Sequence, residues 1–250
     1  MSTNYDLIAE EYKASKMMPW RVHCESYTFF RLTGDLLGLS ALDLACGEGF
    51  YTRQLRLRGA TRAVGVDISA GMILLANDSE SRNPLGIDYH VADAFNVDLD
   101  ETFDIVTASY FLNYAENRAQ MKLAAKNIFK HLKPGGRFVT INSNPDYRCS
   151  APAMRPYGFT RENESVDEGA VITYSFYSAD GSSIDVTNYH IDSDVHVECF
   201  REAGFEDIAW HPIEVSPVGL EGYGDTFWRT LIDCRPVIGF SCRKPHLRES

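Results

Sequence analysis

Short apolar runs alternate with helical patterns over the first 142 residues of this 250-residue chain. The runs are rich in Val, Ile, Leu and aromatic residues and are bounded by Gly, Pro or Asp, as buried strands are. They read SALDLA, RAVGVD, IDYHVA, FDIVTASY and GRFVTIN. Helical stretches such as GMILLANDSE and NRAQMKLAAKNIFKHL separate them, and the second is expected to stop at KPGG. Apolar strands separated by helices predict a parallel sheet covered on both faces, and so a doubly wound α/β fold.

Two segments fall outside this alternation. Residues 1–38 predict two helices ahead of the first strand, and we expect them to form a lid. Residues 143–190 open with a polar loop and continue as VITYSFYSADGSSIDVTNYHI, in which ADGS predicts a hairpin turn. Since a hairpin cannot be a crossover of a parallel sheet, we expect residues 143–190 to cap the carboxyl ends of the strands.

The remaining residues return to the alternating pattern. A helix around DVHVECFREAGF, a strand DIAWHPIEV, a connection GYGDTFWRTLIDC and a final strand PVIGFSC are predicted. One domain therefore divides into a lid (1–38), a cofactor-binding core (39–142), a substrate cap (143–190) and the end of the sheet (191–245).

Charge and composition narrow the class of protein. The net charge is −11, and residues 162–225 hold fifteen acids against one base, Arg201. Such a surface repels phosphate backbones, so no nucleic acid is expected as a partner. The polar N-terminus and the absence of an apolar run near the roughly 20 residues that span a bilayer predict a cytoplasmic protein with no membrane partner.

The six cysteines are scattered and include no C-x-x-C pair. This spacing is not that of a zinc site or a dense disulfide framework, and no other metal-ligand spacing is present. We therefore expect reduced, mostly buried thiols and no bound metal.

The stretch ALDLACGEGFYT, residues 41–52, places two glycines where the chain turns from a strand into a helix. Gly47 and Gly49 allow backbone to approach a ligand without obstruction by a Cβ atom. A dinucleotide fingerprint would have a third glycine at the position of Thr52, beside a pyrophosphate. Asp43 ends the strand, where its carboxylate would repel phosphate. The turn therefore predicts a ligand with a cation and no phosphate, and S-adenosylmethionine, with its ammonium and sulfonium groups, fits.

Two further acids follow the next two strands. Asp67 comes twenty residues after Gly47, where an acid can accept hydrogen bonds from both hydroxyls of a ribose. Asp93 can bond the exocyclic amine of adenine, while its neighbours Ala94 and Phe95 pack on the ring. A helix N-cap at Asp67 and an ordinary loop residue at Asp93 are the alternatives. Because open α/β sheets bind ligands at the carboxyl ends of their strands, the three signals together predict a cofactor site there.

These motifs resemble those of class I S-adenosylmethionine-dependent methyltransferases over essentially the whole chain. LDLACGEG is similar to the family's first motif, GVDIS to the second, ADA to the third, FDIVTASYFLNYA to the fourth, LKPGGRFV to the fifth, and AGFEDIAW to the entry of the sixth strand. The resemblance implies a Rossmann-like, mostly parallel sheet of seven strands whose last strand is antiparallel. It also implies methyl transfer from S-adenosylmethionine.

A narrower resemblance concerns NYDLIAEEYKAS, PWR and DLACGEGFYTRQL. These segments resemble small-molecule methyltransferases that N-methylate azapteridines in toxoflavin biosynthesis. The resemblance implies that Tyr5 and Tyr12 of the lid lie over the methionine moiety, with packing of an amphipathic helix as the alternative. Arg21 is then placed to pair with the cofactor carboxylate through charge-assisted hydrogen bonds.

The expected site has two parts and one candidate base. The cofactor part comprises Tyr5, Tyr12, Arg21, Asp43, Ala45, Gly47, Gly49, Asp67, Ile68, Met72, Asp93, Ala94, Phe95, Ser109 and Tyr114. Aromatic residues of the lid, the cap and the segment after the fourth strand suit a flat, heteroaromatic acceptor. They are Trp20, Tyr110, Phe111, Tyr147, Tyr177 and Tyr189. His190 is the candidate general base, because imidazole titrates near neutral pH, and a structural histidine is the alternative.

The sequence also bears on functions other than small-molecule methyl transfer. Asp43 and the missing third glycine argue against an NAD(P)-dependent oxidoreductase. A catalytically silent S-adenosylmethionine-binding partner protein and a methyltransferase of macromolecules stay open. So do the acceptor, the choice between a nitrogen and an oxygen as the methylated atom, and the choice between monomer and homodimer.

Overall fold

The computed structural model describes residues 15–178 and 181–246. Its strands are β1 (Ser40–Leu44), β2 (Arg62–Asp67), β3 (Ile87–Val91), β4 (Phe103–Thr107), β5 (Leu132–Ser143), β6 (Phe159–Asn163), β7 (Val171–Tyr177), β8 (Ser183–Tyr189), β9 (Glu206–Pro212) and β10 (Val237–Arg243). Seven of them form one sheet in the order β3-β2-β1-β4-β5-β10-β9. Strands β1 to β5 pair in parallel, and β10 is antiparallel to both its neighbours. The doubly wound sheet with an antiparallel last strand is confirmed.

Helices cover both faces of this sheet. They are α1 (Ser26–Thr33), α2 (Phe50–Leu57), α3 (Ala70–Arg82), α4 (Arg118–Lys130), α5 (Ser193–Glu202), α6 (Pro217–Tyr223) and α7 (Asp225–Cys234). A π-helical turn (Arg21–Glu25) leads into α1, and 3₁₀ turns occupy Leu112–Tyr114 and Ala151–Tyr157. Side chains cap three of the helices that follow strands. Ser69 accepts from the Met72 amide and Asn117 from that of Gln120, both at 3.1 Å, and Ser216 accepts from the Gly219 amide at 3.0 Å.

The KPGG segment is part of a strand, not a turn after a helix. Helix α4 ends at Lys130, and β5 begins at Leu132 and includes all four of these residues. The register against β4 shifts between Phe103 and Ile105, which accommodates the extra residues as an irregularity in the ladder. The predicted strand start at Gly136 was therefore too late.

The cap contains one more strand than the sequence predicts. Strands β6, β7 and β8 form a separate antiparallel sheet in that order. Along β7, buried and half-buried residues alternate, as expected for a sheet with one face on the core. The pattern FTREN of β6 is polar by sequence, yet its Arg161 is fully buried, so hydrophobic alternation could not reveal this strand.

One cysteine pair corrects the expectation of six reduced thiols. Cys149 and Cys234 form a disulfide across 85 residues of sequence, while Cys24, Cys46, Cys199 and Cys242 are free and buried. The bond joins the start of the cap to the end of α7. Local spacing could not predict it, because the two residues meet only once the cap folds back onto the last helix.

Candidate functional site

A cavity of about 290 Å³ lies at the carboxyl ends of β1, β2 and β4, beside the loop after β3. Its walls come from the residues that follow these strands and from one residue of the cap sheet. The lining residues are Ala45, Gly47, Asp67, Ile68, Met72, Asp93, Ala94, Phe95, Ser109, Tyr110, Phe111, Tyr114, Glu116, Gln120 and Tyr189. Ten of the fifteen residues expected to bind a cofactor are among them.

The glycine turn after β1 packs against the side chain of Tyr89 on β3. Gly47 and Gly49 both have positive φ angles, of 56° and 81°. A Cβ atom at Gly49 would lie 2.3 Å from Tyr89 Oη, so a side chain there cannot fit unless the Tyr89 side chain moves. A Cβ atom at Gly47 would meet nothing within 4 Å, and this residue lines the cavity. The missing side chain at Gly49 therefore allows close packing with Tyr89, and that at Gly47 leaves the cavity wall open.

Asp43 is buried beneath the turn and does not line the cavity. Its carboxylate accepts hydrogen bonds from Thr52 Oγ1 at 2.6 Å and Thr107 Oγ1 at 2.8 Å. Burial raises its pKa from 3.8 to about 6, against the opposing effect of the two hydroxyls. Thr52, at the position of the missing third glycine, thus joins the first turn of α2 to β1.

Asp67 links the end of β2 to the glycine turn. Its Oδ2 accepts from the Gly47 amide at 2.8 Å and its Oδ1 from the Ser69 amide at 2.9 Å. The residue is 8% exposed and lines the cavity. Two backbone donors therefore fix the carboxylate at the cavity wall. Ser69, not Asp67, is the N-cap of α3.

The loop after β3 adds an acid and an aromatic wall. Asp93 Oδ1 accepts from the Phe95 amide at 2.9 Å, and Oδ2 accepts from Asn96 Nδ2 at 3.1 Å. The rings of Phe95 and Phe111 are 4.6 Å apart, and both line the cavity. A carboxylate and an apolar surface therefore stand side by side.

Two lining residues hold a backbone conformation that side chains rarely adopt. Ala45, after β1, has φ of 53°, and Tyr110, after β4, has φ of 61°. The left-handed region is costly for residues other than glycine, and such strain clusters at functional sites. The Tyr110 amide donates to the Ile141 carbonyl at 2.8 Å, which helps to hold the residue in place.

A buried charged group lies behind Tyr110. This group is the carboxylate of Glu25, which is fully buried. The hydroxyls of Tyr110 and Tyr51 both donate to it. Arg21 Nε lies 3.9 Å from the same carboxylate, and its guanidinium packs on the rings of Trp20, Tyr110 and Phe176 at 4.9–5.6 Å. Burial and Glu25 raise the pKa of Tyr110 well above its usual value.

A smaller cavity of about 20 Å³ adjoins the main one, sharing Tyr110 and Tyr114 with it. Its lining combines the segment before α1 with the inner face of the cap sheet. The residues are Trp20, Arg21, Tyr110, Tyr114, Tyr174, Phe176, Val186 and Asn188. The expected residues Trp20 and Arg21 thus lie here and not in the main cavity.

Other expected residues lie outside both cavities. Tyr147 packs against the guanidinium of Arg161, 4.4 Å from its ring centroid, and Tyr177 against that of Arg155, at 3.4 Å. Tyr5 and Tyr12 are outside the described residues.

His190 is fully buried and lines neither cavity. Its Nε2 lies 3.1 Å from Asp192 Oδ1, at the edge of a third and separate cavity. The structure therefore does not bring the candidate base together with the expected cofactor residues.

Sequence reasoning missed Glu116 and Gln120, which line the main cavity near Tyr189. Burial, with a smaller effect of Glu116, raises the pKa of Tyr189. Glu116 lies between a predicted strand and a predicted helix, and only the position of the cap brings it to the cavity. Within residues 15–178 and 181–246, no three His, Cys, Asp or Glu side chains are grouped as metal ligands. No helix of the same residues is long and apolar enough to cross a membrane.

Part of the chain is similar in sequence to known methyltransferases. Residues 42–140 match the model of a family described as a methyltransferase domain. Over 115 residues, the chain is 34% identical to the demethylmenaquinone methyltransferase of Lactococcus lactis subsp. lactis, covering 44% of each protein. It is 30% identical over 115 residues to the ubiquinone biosynthesis O-methyltransferase of Pseudomonas fluorescens, covering 44% of this chain and 48% of that one. The match thus spans less than half the length of these curated relatives.

The fold similarity extends much further than the sequence similarity. The CcbJ methyltransferase from Streptomyces caelestis superposes with a TM-score of 0.66, covering 98% of both chains at 16% identity. The chain therefore has the Rossmann-like methyltransferase fold, from the segment before α1 to β10.

Proposed function

We propose that this chain is an S-adenosylmethionine-dependent methyltransferase that acts on a small, flat acceptor. The observation that carries the proposal is the cavity at the carboxyl ends of β1, β2 and β4, in which Gly47, Asp67 and Asp93 meet. The matched methyltransferase-domain segment, residues 42–140, contains all three.

The lining residues fit the parts of this cofactor. Asp67, fixed by two backbone amides, would accept hydrogen bonds from both ribose hydroxyls. Asp93 would receive the adenine amine, and Phe95 with Ile68 would cover the ring. Ser109 Oγ is buried without a partner among the described residues and would bond the methionine end. Tyr5 and Tyr12 of the lid, with Arg21 from the adjoining smaller cavity, would complete that end, as the N-terminal resemblance implies.

The proposed mechanism depends on alignment. The cofactor supplies an electrophilic methyl group on a sulfonium. Tyr110 and Tyr114, whose side chains border both adjoining cavities, would hold the acceptor nitrogen or oxygen in line with that methyl group. Such positioning can contribute roughly 7–11 kcal/mol to catalysis. A general base is needed only when the acceptor atom arrives protonated, and His190, outside the cavity, is no longer our candidate for it.

The acceptor part of the proposal rests on the aromatic walls. Trp20, Tyr110, Phe111 and Tyr189 surround the space next to the proposed cofactor position, and aromatic side chains favour planar ligands. The names of both relatives, a demethylmenaquinone methyltransferase and a ubiquinone biosynthesis O-methyltransferase, refer to quinones. An azapteridine-like heteroaromatic acceptor, drawn from the N-terminal resemblance, is our narrower suggestion. We further propose a cytoplasmic monomer or homodimer.

A transfer assay tests the proposal. The protein would be incubated with S-adenosylmethionine labelled in its methyl group and with an extract of the source organism. We expect label in a small, aromatic metabolite, in amounts that depend on the protein. Label in precipitated macromolecules would contradict the small-molecule acceptor. Cofactor binding without any protein-dependent label, across extracts and candidate quinone and pteridine acceptors, would favour a silent binding partner.

A further inference from the structure

A third cavity, of about 10 Å³, lies between the core sheet and the cap sheet. Its polar lining comes from Asn113, Asn142, Ser143, His190 and His196. A cavity of this size has room for a single water molecule. Tyr189 lines both this cavity and the proposed cofactor cavity.

Four buried polar atoms around this cavity have no hydrogen-bond partner among the described residues. They are both amide atoms of Asn113, Oδ1 of Asn142 and Nδ1 of His190. The three residues are 5%, 2% and 1% exposed, so bulk solvent does not reach them. About 90% or more of buried polar groups in proteins have a partner. Four orphan atoms around one cavity therefore indicate a ligand.

The donors and acceptors specify that ligand. Asn142 Nδ2 donates to Thr140 Oγ1 at 2.9 Å, which leaves its Oδ1 as an acceptor for the cavity. Asp192 Oδ1, 3.1 Å from His190 Nε2, can only accept, so it favours the tautomer with the ring proton on Nε2, in which Nδ1 is an acceptor. The Asn113 amide can donate. A water molecule that donates to Asn142 Oδ1 and His190 Nδ1 and accepts from Asn113 Nδ2 would match three of these four atoms.

No charged partner competes for this position. His196 Nδ1 bonds the Asp192 carbonyl at 2.9 Å, and burial lowers the pKa of His196 to about 4, so it is uncharged at neutral pH. The Asp192 side chain is 65% exposed and lies on the far side of the His190 ring. The described cavity lining is therefore polar and includes no Asp, Glu, Lys or Arg side chain.

We propose that this cavity binds one structural water that bridges Asn113, Asn142 and His190. The water joins the loop after β4, the end of β5 and the end of β8. It thereby holds the cap against the core and positions Tyr189 at the wall of the cofactor cavity. His190 is a positioning residue in this arrangement. The positioning role, though not the water itself, rests on the proposed function.

A high-resolution crystal structure of the full chain tests the water directly. We expect density for one ordered oxygen within hydrogen-bond distance of Asn142 Oδ1, His190 Nδ1 and the Asn113 amide. An empty cavity, or side chains rotated so that they bond one another directly, would overturn the inference. This test does not depend on enzymatic activity or on any variant.

A matched pair of variants tests the role of His190. In His190→Asn, the amide occupies the place of Nδ1 and can still bond the water. In His190→Gln, it occupies the place of Nε2 and keeps only the contact with Asp192. We expect the water and most of the thermal stability to persist in H190N and to be lost in H190Q. The reverse result would assign the importance of His190 to Asp192 and contradict the bridge.

Titration with S-adenosylmethionine tests the positioning of Tyr189. Loss of one hydrogen bond corresponds to about a threefold to tenfold change, so we expect H190Q to bind the cofactor that much more weakly than H190N. Equal affinities would overturn the positioning role and leave the water intact. Failure of the wild-type chain to bind the cofactor would contradict the proposed function, while the crystallographic result would still decide the water.

Discussion

Two parts of the site are built in different ways. One is the floor of the main cavity, which we define as the ends of β1, β2 and β3 with the segments that follow them, and the other is the cap, residues 143–190. In the floor, the acids bond to near neighbours in the fold: Asp43 to two threonines, Asp67 to two amides and Asp93 to the amide two residues later. In the cap, a buried guanidinium, Arg161, packs on two tyrosine rings and keeps one nitrogen without a described partner.

This difference explains which half carries recognisable motifs. In the floor, each acid is held in part by the segment that follows its own strand. These contacts come from Thr52 to Asp43, from the Ser69 amide to Asp67 and from the Phe95 amide to Asp93. The cap depends on packing between segments far apart in sequence, including a disulfide across 85 residues. The proposed cofactor site therefore depends largely on local sequence, and the proposed acceptor site depends on the assembled tertiary structure.

The glycine turn gives the largest expected effects and separates packing from binding. Gly49→Val would drive a side chain into Tyr89 at positive φ, so we expect strong destabilisation of the floor. Gly47→Val meets open space but a strained φ, which costs roughly 1–2 kcal/mol of folding free energy, and it should abolish cofactor binding. Urea denaturation and cofactor titration of both variants would measure this. Equal stabilities would show that Tyr89 does not constrain the turn.

The sequence predicts the floor because its signals are local. Gly47, Asp67 and Asp93 stand at the ends of strands that apolar runs reveal, and all three line the cavity. The same reasoning placed Asp43 at the ligand, because a strand end does not tell whether the side chain faces the cavity or the helix beneath it. It missed β6 and Glu116 and misplaced His190, since these depend on how the cap folds back. Tyr147 and Tyr177 were chosen as aromatic residues, and their contacts with arginines are not visible in the sequence.

Breaking the disulfide should act on the cap and spare the floor. For Cys149→Ser with Cys234→Ser, we expect a loss of about 2–4 kcal/mol in the free energy of unfolding, because a long loop is no longer closed in the unfolded chain. Hydrogen exchange should rise in residues 159–189 more than in β1 and β2. Cofactor affinity should stay unchanged. As a control, reductant should destabilise the wild type and not the double variant; a wild type insensitive to reductant would contradict the bond.

Removing a carboxylate from the cavity wall should weaken binding by an intermediate amount. For Asp67→Ala, we expect cofactor affinity to fall by about 1–3 kcal/mol, through loss of the ribose hydrogen bonds and of support for Gly47. Asp67→Asn keeps one oxygen for the turn and should lose less. Calorimetric titration of both variants would measure the difference. Affinities equal to that of the wild type would remove Asp67 from the site.

The contribution of Asp43, the buried acid beneath the turn, to the free energy of unfolding should depend on pH. Its folded pKa of about 6 exceeds the usual 3.8, so the folded state holds the proton more tightly than the unfolded state. The contribution of Asp43 to stability is therefore greatest below pH 4 and falls as the pH rises to about 6, by at most about 1.4 kcal/mol per pH unit. The difference in unfolding free energy between wild type and Asp43→Asn, measured without cofactor, should follow this slope. A difference independent of pH would mean that Asp43 is ionised as freely as in the unfolded chain.

The central claim is that the floor of the main cavity binds S-adenosylmethionine, and a crystal structure of the complex with S-adenosylhomocysteine tests it most directly. We expect the ribose hydroxyls to bond Asp67, the adenine to lie against Phe95 with its amine at Asp93, and the sulfur to face Tyr110 and Tyr114. A ligand bound elsewhere, or crystals that exclude it at saturating concentration, would contradict the account.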